Sequence, residues 1–230
     1  AVPAAGGNWL ASRPACLAEK FAGIARVEIA NDKEAALKEA LSALAAEDGL
    51  IGLCTTNSGT ATVVGGDDGV PWNTVTSVSW GFPRAQGAPV LVDQPSARGS
   101  WGAVAVAQQT GGSLSACVAL DAEGQPTERP DEARLLLPWA GAAGVATGLI
   151  ASMLSGVLSG GRLPVHKHRA AERDGAEHFF FVIDPQQFGD VEAMQAELES
   201  GIEHWQSAPG QEQWQLATDR LENGIPVAEP

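Results

Sequence analysis

The amino-acid sequence predicts a protein of the α/β class. Short apolar runs of strand length alternate with stretches whose apolar residues recur at helical spacing, and Gly, Pro and Asn punctuate the boundaries. The chain has 230 residues, and this length favours one large domain, residues 1–230, over two small ones. With 44% hydrophobic and 18% charged residues, its composition is that of a folded globular chain.

The first quarter of the chain has the pattern of a strand, a helix and a second strand. Residues 23–30 form an apolar run of strand length, and residues 33–48 space their apolar side chains at helical intervals. Gly49 is predicted to end this helix, and residues 50–56 predict a second buried strand. A unit of this size usually builds a parallel pair of strands. Residues 57–73 are rich in turn formers and predict a long connecting or functional loop.

The alternation continues to the end of the sequence. The pattern predicts a short strand at 89–93, a strand at 178–185, a helix after Asp190 and a last helix at 211–222 that stops at Asn223 and Gly224. Residues 100–110 fit either a helix or a strand, because their alternation favours a strand and their Ala content favours a helix; the helix is the preferred interpretation.

Residues 135–161 carry no charged side chain, and this length alone would permit a membrane-spanning helix. The stretch is dominated by Gly, Ala, Ser and Thr, which contribute little to partitioning into lipid. The composition therefore favours a buried helix with small-residue contacts, and no membrane partner is expected.

The charge balance excludes one large class of partner. Lys and Arg number 14 against 28 Asp and Glu, so the net charge of −14 would repel a nucleic-acid backbone, and no nucleic-acid partner is expected. Three scattered cysteines are too few for a disulfide framework or a zinc site, which favours a reducing, cytoplasmic location without a metal. The first residues lack the charged and apolar regions of a secretory signal.

Basic residues concentrate in one loop, residues 162–173. The loop contains six of them against one Glu: Arg162, His166, Lys167, His168, Arg169 and Arg173. The favoured interpretation is a solvated loop, and the alternative is a site for a cofactor phosphate or an acidic partner surface.

Several strings occur in the order found in one enzyme family. They are AAEDGLIGLCTTNSG, GAPVLVD followed by ARG, DAEGQPTERP, LPWAGAAGVATGLIASMLSGVLSGG, HFFFVIDPQQF, and APGQEQ followed by GIPV. On these residues the chain resembles the type 2 malate/L-lactate dehydrogenase family, which includes sulfolactate, ureidoglycolate and cyclic-ketimine reductases. The resemblance extends from about Gly23 to Val227.

The resemblance implies an oxidoreductase that uses NADP or NAD and interconverts small 2-hydroxy acids with 2-oxo or 2-imino acids. It also implies a mixed sheet with flanking helices, a non-Rossmann cofactor domain, and a homodimer or companion subunit with the cofactor near the interface. The sequence has no G-x-G-x-x-G after its first predicted strand, as expected for such a domain.

The same resemblance implies where ligands bind. Asp93, Gln94 and Gly144 match positions near the cofactor, and Thr56, Arg98 and Gly99 match positions near the substrate. Simpler interpretations stay open for most of them, because a strand-ending Asp often caps a turn, an Arg is often exposed, and a Thr hydroxyl often bonds to nearby backbone.

Other family features have no counterpart in the sequence, and no catalytic residue is assigned. The family's catalytic Ser-His pair and substrate-binding Arg lie in an amino-terminal helical region that does not match here. Glu34 stands where the family has a His-containing turn, Ala143 stands where it has a Lys, and QEQ follows APG where an Arg-rich run is common. Two interpretations therefore remain: an oxidoreductase completed by an amino-terminal portion or a companion chain, or a catalytically inactive homologue with a structural or regulatory role.

Overall fold

The computed structural model describes residues 42–57, 59, 61–65, 69–167, 177–205 and 208–224. Within these ranges the chain groups into two compact units. The first unit contains the described residues among 54–78 and 93–180, and the second contains the described residues among 39–53, 79–92 and 181–230. The single domain expected from the length stays a prediction.

Strands and helices alternate along the described chain. The strands are β1 (Ile51–Asn57), β2 (Val63–Val64), β3 (Pro71–Asn73), β4 (Ser77–Phe82), β5 (Val90–Pro95), β6 (Ala119–Leu120), β7 (Pro126–Thr127), β8 (Leu135–Leu136) and β9 (Glu177–Ile183). The α-helices are α1 (Trp101–Thr110), α2 (Ala142–Ala151), α3 (Val191–Trp205) and α4 (Gln211–Asn223), and a π-helix (Ser152–Val157) continues α2. Residues 42–47 are also helical, and Gly49 follows them in the left-handed conformation, as predicted.

The strands form two sheets. One has four strands in the order β5-β4-β1-β9, and the other has five in the order β3-β2-β8-β6-β7. In the second sheet β2 runs parallel to β8 and antiparallel to β3, so the sheet is mixed. The α/β class with a mixed sheet and flanking helices is confirmed.

The core of the first unit forms around the five-stranded sheet. Val63 on β2 pairs with Leu136 on β8, and both are buried. The cluster is completed by Ala97, Val104, Leu114, Ala119 and Ala133. The predicted loop at 57–73 is wrong in part, because burial of Val63 and Val64 in this core makes a two-residue strand favourable.

The small-residue stretch forms α2 and the π-helix, and the predicted burial holds for one face only, because Leu149, Ile150 and Met153 on the outer side are exposed. Seven buried residues form the inward face: Gly144, Thr147, Gly148, Ala151, Ser152, Ser155 and Gly156. A Cβ added at Gly148 would overlap the Asn73 side chain, and one added at Gly156 would overlap the Asn57 side chain. A larger residue at either position would therefore force the facing asparagine side chain to move. Within the described ranges, none of the helices has the length and hydropathy needed to cross a bilayer.

The second unit is held by a few specific contacts. The hydroxyls of Ser42 and Ser79 are hydrogen-bonded at 2.8 Å, and the indole N–H of Trp214 on α4 donates to the Pro89 carbonyl at 2.9 Å. Arg84 and Glu199 on α3 form an ion pair in which both guanidinium Nε and Nη2 donate to the carboxylate. Hydrogen bonding to Arg84 lowers the pKa of Glu199 below its usual range.

Candidate functional site

Ser96, the residue that follows β5, is hydrogen-bonded to two other segments of the first unit. Its backbone N–H donates to the Thr76 carbonyl at 2.8 Å, and the Thr76 N–H donates back to the Ser96 hydroxyl at 2.9 Å. The hydroxyl in turn donates to the Thr74 carbonyl at 3.2 Å, and the Ser96 carbonyl accepts from the Trp139 N–H at 3.0 Å. Ser96 is fully buried, so these bonds are shielded from water.

Arg98 is fixed against the loop that precedes α2. Its backbone N–H donates to the Leu137 carbonyl at 2.9 Å, and its Nε donates to the Pro138 carbonyl at 3.3 Å. The rest of the side chain is exposed, so the guanidinium keeps donors available for an anion. Gly99 packs so closely that a Cβ there would lie 2.8 Å from Cγ1 of Val118.

We call the hydrogen bonds that join Ser96 to Thr74, Thr76 and Trp139 the Ser96 network, and Gly144 lies against it. A Cβ at this position would overlap the Ser96 carbonyl and the backbone of Trp139, which requires glycine for packing alone. Its predicted contact with a cofactor is a separate matter and stays a prediction. The structure thus brings Arg98 and Gly144 together through Ser96, Pro138 and Trp139.

The start of α2 is open to solvent and has an uncommon backbone. Ala140 and Gly141 both have positive φ, 46° and 62°. Among the described residues, no side chain caps the helix at Gly141, and Ala142 and Ala143 are exposed. The N–H groups of Ala143 and Gly144 already donate to the carbonyls of Ala140 and Trp139, at 3.4 and 2.8 Å. The N–H group at this helix start that an anion can reach is therefore that of Ala142.

Thr56 lies behind the network rather than at the surface. It is buried, and its Oγ1 is hydrogen-bonded to Nδ1 of His178 on β9 at 2.9 Å. Its carbonyl accepts from the Thr76 hydroxyl at 2.6 Å, and Thr76 connects it to Ser96. Nothing in the local sequence pattern indicated this pairing of His178 with a residue 122 positions away.

A buried ion pair lies beside Asn57, the residue that follows Thr56. Lys167 Nζ donates to Oε2 of Glu177 at 2.5 Å and to the Asn57 carbonyl at 2.7 Å, and its side chain is 1% exposed. The Asn57 amide donates to Glu177 and to the Arg162 carbonyl, both at 2.8 Å. The predicted solvated loop is therefore wrong at Lys167, although Arg162 and His166 are exposed. Residues 168–173 of that loop lie outside the described residues.

The last two predicted cofactor residues occupy the end of β5. Asp93 is exposed and Gln94 is half-buried, with its amide 3.5 Å from the Pro95 carbonyl. Asp93 and Gln94 lie three and two residues before Ser96, which follows the last residue of this strand. Glu34 lies outside the described residues. No cluster of His, Cys, Asp and Glu able to hold a metal is found in the described part.

The two sheets, one of them mixed, the flanking helices and this polar network define an α/β protein with a candidate ligand site at the start of α2. A family model described as malate/L-lactate dehydrogenase matches residues 10–230. The chain belongs to the malate/L-lactate dehydrogenase family, as the resemblance of its motifs implied.

Two relatives give the same picture at the level of sequence. The chain is 31% identical over 147 residues to the Δ1-pyrroline-2-carboxylate/Δ1-piperideine-2-carboxylate reductase of Pseudomonas syringae pv. tomato, an alignment covering 61% of this chain and 43% of that protein. It is 28% identical over 196 residues to the reductase of the same name from Pseudomonas putida, covering 80% of this chain and 57% of that one. The chain thus matches about half the length of these relatives.

Solved structures share the fold. The crystal structure of Δ1-piperideine-2-carboxylate reductase from Pseudomonas syringae pv. tomato superposes with a TM-score of 0.76 at 26% identity, covering 95% of this chain and 70% of that one. The sulfolactate dehydrogenase of Methanocaldococcus jannaschii superposes with a TM-score of 0.68 at 20% identity, covering 82% and 58%. At that lower identity the likeness is one of fold.

Proposed function

We propose that the chain binds a nicotinamide dinucleotide and a small 2-imino or 2-oxo acid, and acts as part of an NAD(P)-dependent oxidoreductase. The observation that carries the proposal is the Ser96 network, which connects Arg98, Thr56 and the start of α2. Similarity to two reductases of cyclic 2-imino acids supports this substrate class. A homodimer or a companion subunit, implied by the resemblance, belongs to the same proposal.

The residues present fit a dinucleotide at two points. The open start of α2 offers the Ala142 N–H and the positive end of a helix dipole, which suit one phosphate of a pyrophosphate. The exposed carboxylate of Asp93 is an acceptor suited to ribose hydroxyls, and Gln94 beside it can both donate and accept. When bound, a reduced nicotinamide supplies the hydride.

The chain's own residues would then bind the acid and hold a proton. Arg98, with its Nε fixed on Pro138, is suited to pair with the substrate carboxylate. Reduction of an imine or carbonyl also consumes a proton, so the reaction needs a group that can hold one. Thr56 and His178 form a hydrogen-bonded hydroxyl and imidazole connected to Ser96, and we assign the proton to this pair.

A second candidate function is that of a catalytically inactive homologue with a structural or regulatory role. One observation favours it: the exposed residue at the start of α2 is Ala143, which brings no positive charge to the region assigned to the pyrophosphate. Cofactor binding separates the two candidates.

The first experiment is a titration of the purified chain with NADPH and with NADH, followed by energy transfer from its Trp residues to the nicotinamide. We expect a saturable signal with at least one of them. Asp93→Ala should weaken the binding about tenfold, because a ribose hydrogen bond to a carboxylate is lost. Asp131→Ala, an exposed carboxylate elsewhere in the first unit, is the matched control. Absence of saturable binding by the unchanged chain would contradict the oxidoreductase and favour the second candidate.

The second experiment measures reduction of Δ1-piperideine-2-carboxylate and of pyruvate by loss of nicotinamide absorbance. Arg98→Ala should raise KM at least about tenfold with a smaller change in kcat, because it removes a contact made by the bound acid. Arg134→Ala, another exposed Arg of the first unit, should leave both constants unchanged. His178→Gln should lower kcat about 100-fold and remove a pH dependence of kcat. An unaltered pH profile would show that His178 does not hold the proton.

A further inference from the structure

The loop that precedes α2 forms a short antiparallel bridge with the residues that follow β5. Ala97 pairs with Pro138, and the backbone hydrogen bonds of Arg98 and Trp139 described above flank this pair and fix its register. Successive side chains of extended strands alternate between the two faces. Ala97 and Pro138 therefore lie on one face, where both are buried, and Arg98 and Trp139 share the other face.

This register places Arg98 and Trp139 diagonally across the bridge. Diagonal neighbours in an antiparallel pair lie roughly 7–8 Å apart, which long and aromatic side chains can span. The Arg98 Nε donates at 3.3 Å to the carbonyl of Pro138, the residue directly before Trp139. The guanidinium is thus held towards the segment that carries the indole, and its two Nη groups keep donors for a carboxylate.

The Trp139 indole is exposed, although the backbone that carries it is fixed. Trp139 is 41% exposed, whereas its N–H donates to the Ser96 carbonyl at 3.0 Å and its carbonyl accepts from the Gly144 N–H at 2.8 Å. A Cβ at Gly144 would also overlap the Trp139 backbone, so the helix packs directly on this segment. A large aromatic surface on a fixed backbone can contact a ligand with little loss of conformational freedom.

The chemistry of the two side chains suits an acid that carries a ring. A guanidinium binds a carboxylate, and the face of an indole packs on the face of a second ring. In a cyclic 2-imino acid the carboxylate is attached directly to the ring, so pairing with Arg98 brings the ring towards Trp139. An open-chain acid such as pyruvate offers the same carboxylate but only a methyl group to the indole.

We propose that Trp139 is a specificity-determining residue, whose indole packs on the ring of a cyclic 2-imino acid while Arg98 holds the carboxylate. The proposal rests on the proposed function, because it takes Arg98 as the partner of the carboxylate. It adds a preference for cyclic over open-chain acids and assigns that preference to one side chain.

The first test measures binding without turnover, by calorimetric titration of the full chain with pyridine-2-carboxylate and with pyruvate. Pyridine-2-carboxylate has the six-membered ring and the ring-attached carboxylate of Δ1-piperideine-2-carboxylate. Parallel titrations contain oxidised NAD, which fills the dinucleotide site and reduces neither acid. Trp139→Leu should weaken binding of pyridine-2-carboxylate about tenfold, because the contact between rings is lost, and should change that of pyruvate less than about twofold.

Three further variants separate the ring contact from a general effect. Trp139→Phe keeps an aromatic face and should retain most of the preference for the cyclic acid. Arg98→Ala should weaken both acids alike, because both present the same carboxylate. Trp205→Leu, at a Trp of the second unit that is 60% exposed, is the matched control and should leave both affinities unchanged.

The second test compares the reduction of Δ1-piperideine-2-carboxylate with that of pyruvate. Trp139→Leu should raise KM for the cyclic substrate about tenfold with a smaller change in kcat, and should leave KM for pyruvate unchanged within about twofold. A side chain that only maintained the fold would alter both substrates together. The circular dichroism spectrum of Trp139→Leu should match that of Trp205→Leu.

Three results would overturn the proposal and leave the proposed function standing. One is that Trp139→Leu weakens both acids alike, because the indole then acts on Arg98 rather than on the ring. Another is that it weakens NADH binding and neither acid, which would place the indole against the dinucleotide. The third is that the emission lost in Trp139→Leu resists quenching by acrylamide, because another part of the protein then covers the indole.

Failure of the proposed function gives a different result. Neither acid would then bind the unchanged chain, with or without oxidised NAD, and the site at Arg98 would be rejected together with the role of Trp139.

Discussion

The two ion pairs Lys167–Glu177 and Arg84–Glu199 have the same nitrogen-to-oxygen distance, 2.5 Å, but lie in different surroundings. In the first unit, the Lys167 side chain is 1% exposed and also donates to a backbone carbonyl, and its partner Glu177 is 17% exposed, so the difference in burial lies at Lys167. In the second unit, the side chains of Arg84 and Glu199 are 18% and 24% exposed. Distance alone would rank the pairs as equal, whereas burial makes the loss of one partner far more costly in the first unit.

The same contrast holds for the polar residues around each pair. In the first unit five polar residues are buried, namely Thr55, Thr56, Asn57, Asn73 and Ser96. The side chains of Thr55 and Asn73 are hydrogen-bonded to Ser155 and Ser152 on the inward face of the π-helix. The other three form the hydrogen bonds described above. In the second unit, α3 and α4 keep most of their polar side chains in water. The first unit therefore gains specificity from buried polar contacts, because each buried polar group that is left unsatisfied costs free energy of folding.

The largest expected effect is that of Lys167→Met. The substitution leaves the Glu177 carboxylate without its counter-ion and should lower the free energy of unfolding by about 3–5 kcal/mol, as measured by urea denaturation. The double variant Lys167→Met with Glu177→Leu should recover most of that loss, because no unpaired charge remains. A single variant that loses less than about 1 kcal/mol would show that the pair is solvated and would remove the contrast with Arg84–Glu199.

Gly148→Ala tests the close packing of the first unit. The added methyl group would overlap the Asn73 side chain, so the free energy of unfolding should fall by about 1–3 kcal/mol despite the better helix propensity of Ala. The matched control is Gly201→Ala on α3, where the nearest atom would be an ordinary 3.8 Å contact with Trp205. That control should stabilise the protein by about 0.5–1 kcal/mol. Equal effects at the two glycines would contradict the difference in packing.

The smallest expected effect is that of Glu199→Gln. Because Arg84 lowers the pKa of Glu199 in the folded state, the pair stabilises the protein at neutral pH and loses that contribution as the pH falls through the lowered pKa. The free energy of unfolding of the unchanged chain should exceed that of the variant by less than about 1 kcal/mol at pH 7. The difference should shrink as the pH falls and vanish below the lowered pKa of Glu199. A difference that grows on acidification would give the opposite sign and refute the assignment.

Periodicity predicted the long elements well. The strands β1, β5 and β9, the helices α3 and α4, and the glycine that ends α4 all lie within a few residues of their expected positions. Residues 100–110, which fitted either a helix or a strand, form the helix α1. These elements are long enough for side-chain spacing to identify them. The strands of two residues, such as β2, β6 and β8, have no period to detect and form only because distant segments pair.

The candidate site was predicted at the level of segments. Arg98, Gly144 and Thr56 came from motif resemblance, and the structure places them around one network. Ser96, which connects them, bonds to residues 20 to 43 positions away and has no distinctive local pattern. Burial of Lys167 was missed for the same reason, since its partner Glu177 follows ten residues later across a basic stretch. The predicted ligand contacts themselves stay predictions.

Ala140 restricts which amino acids the loop before α2 can accept. Its φ of 46° is a region where side chains branched at Cβ collide with their own backbone, whereas Gly, Asn and Asp adopt it readily. A saturation library at codon 140, selected for folded protein, should therefore be enriched in those three residues and depleted of Val, Ile and Thr. The amino acid at position 140 would then determine how easily this loop adapts to a new ligand.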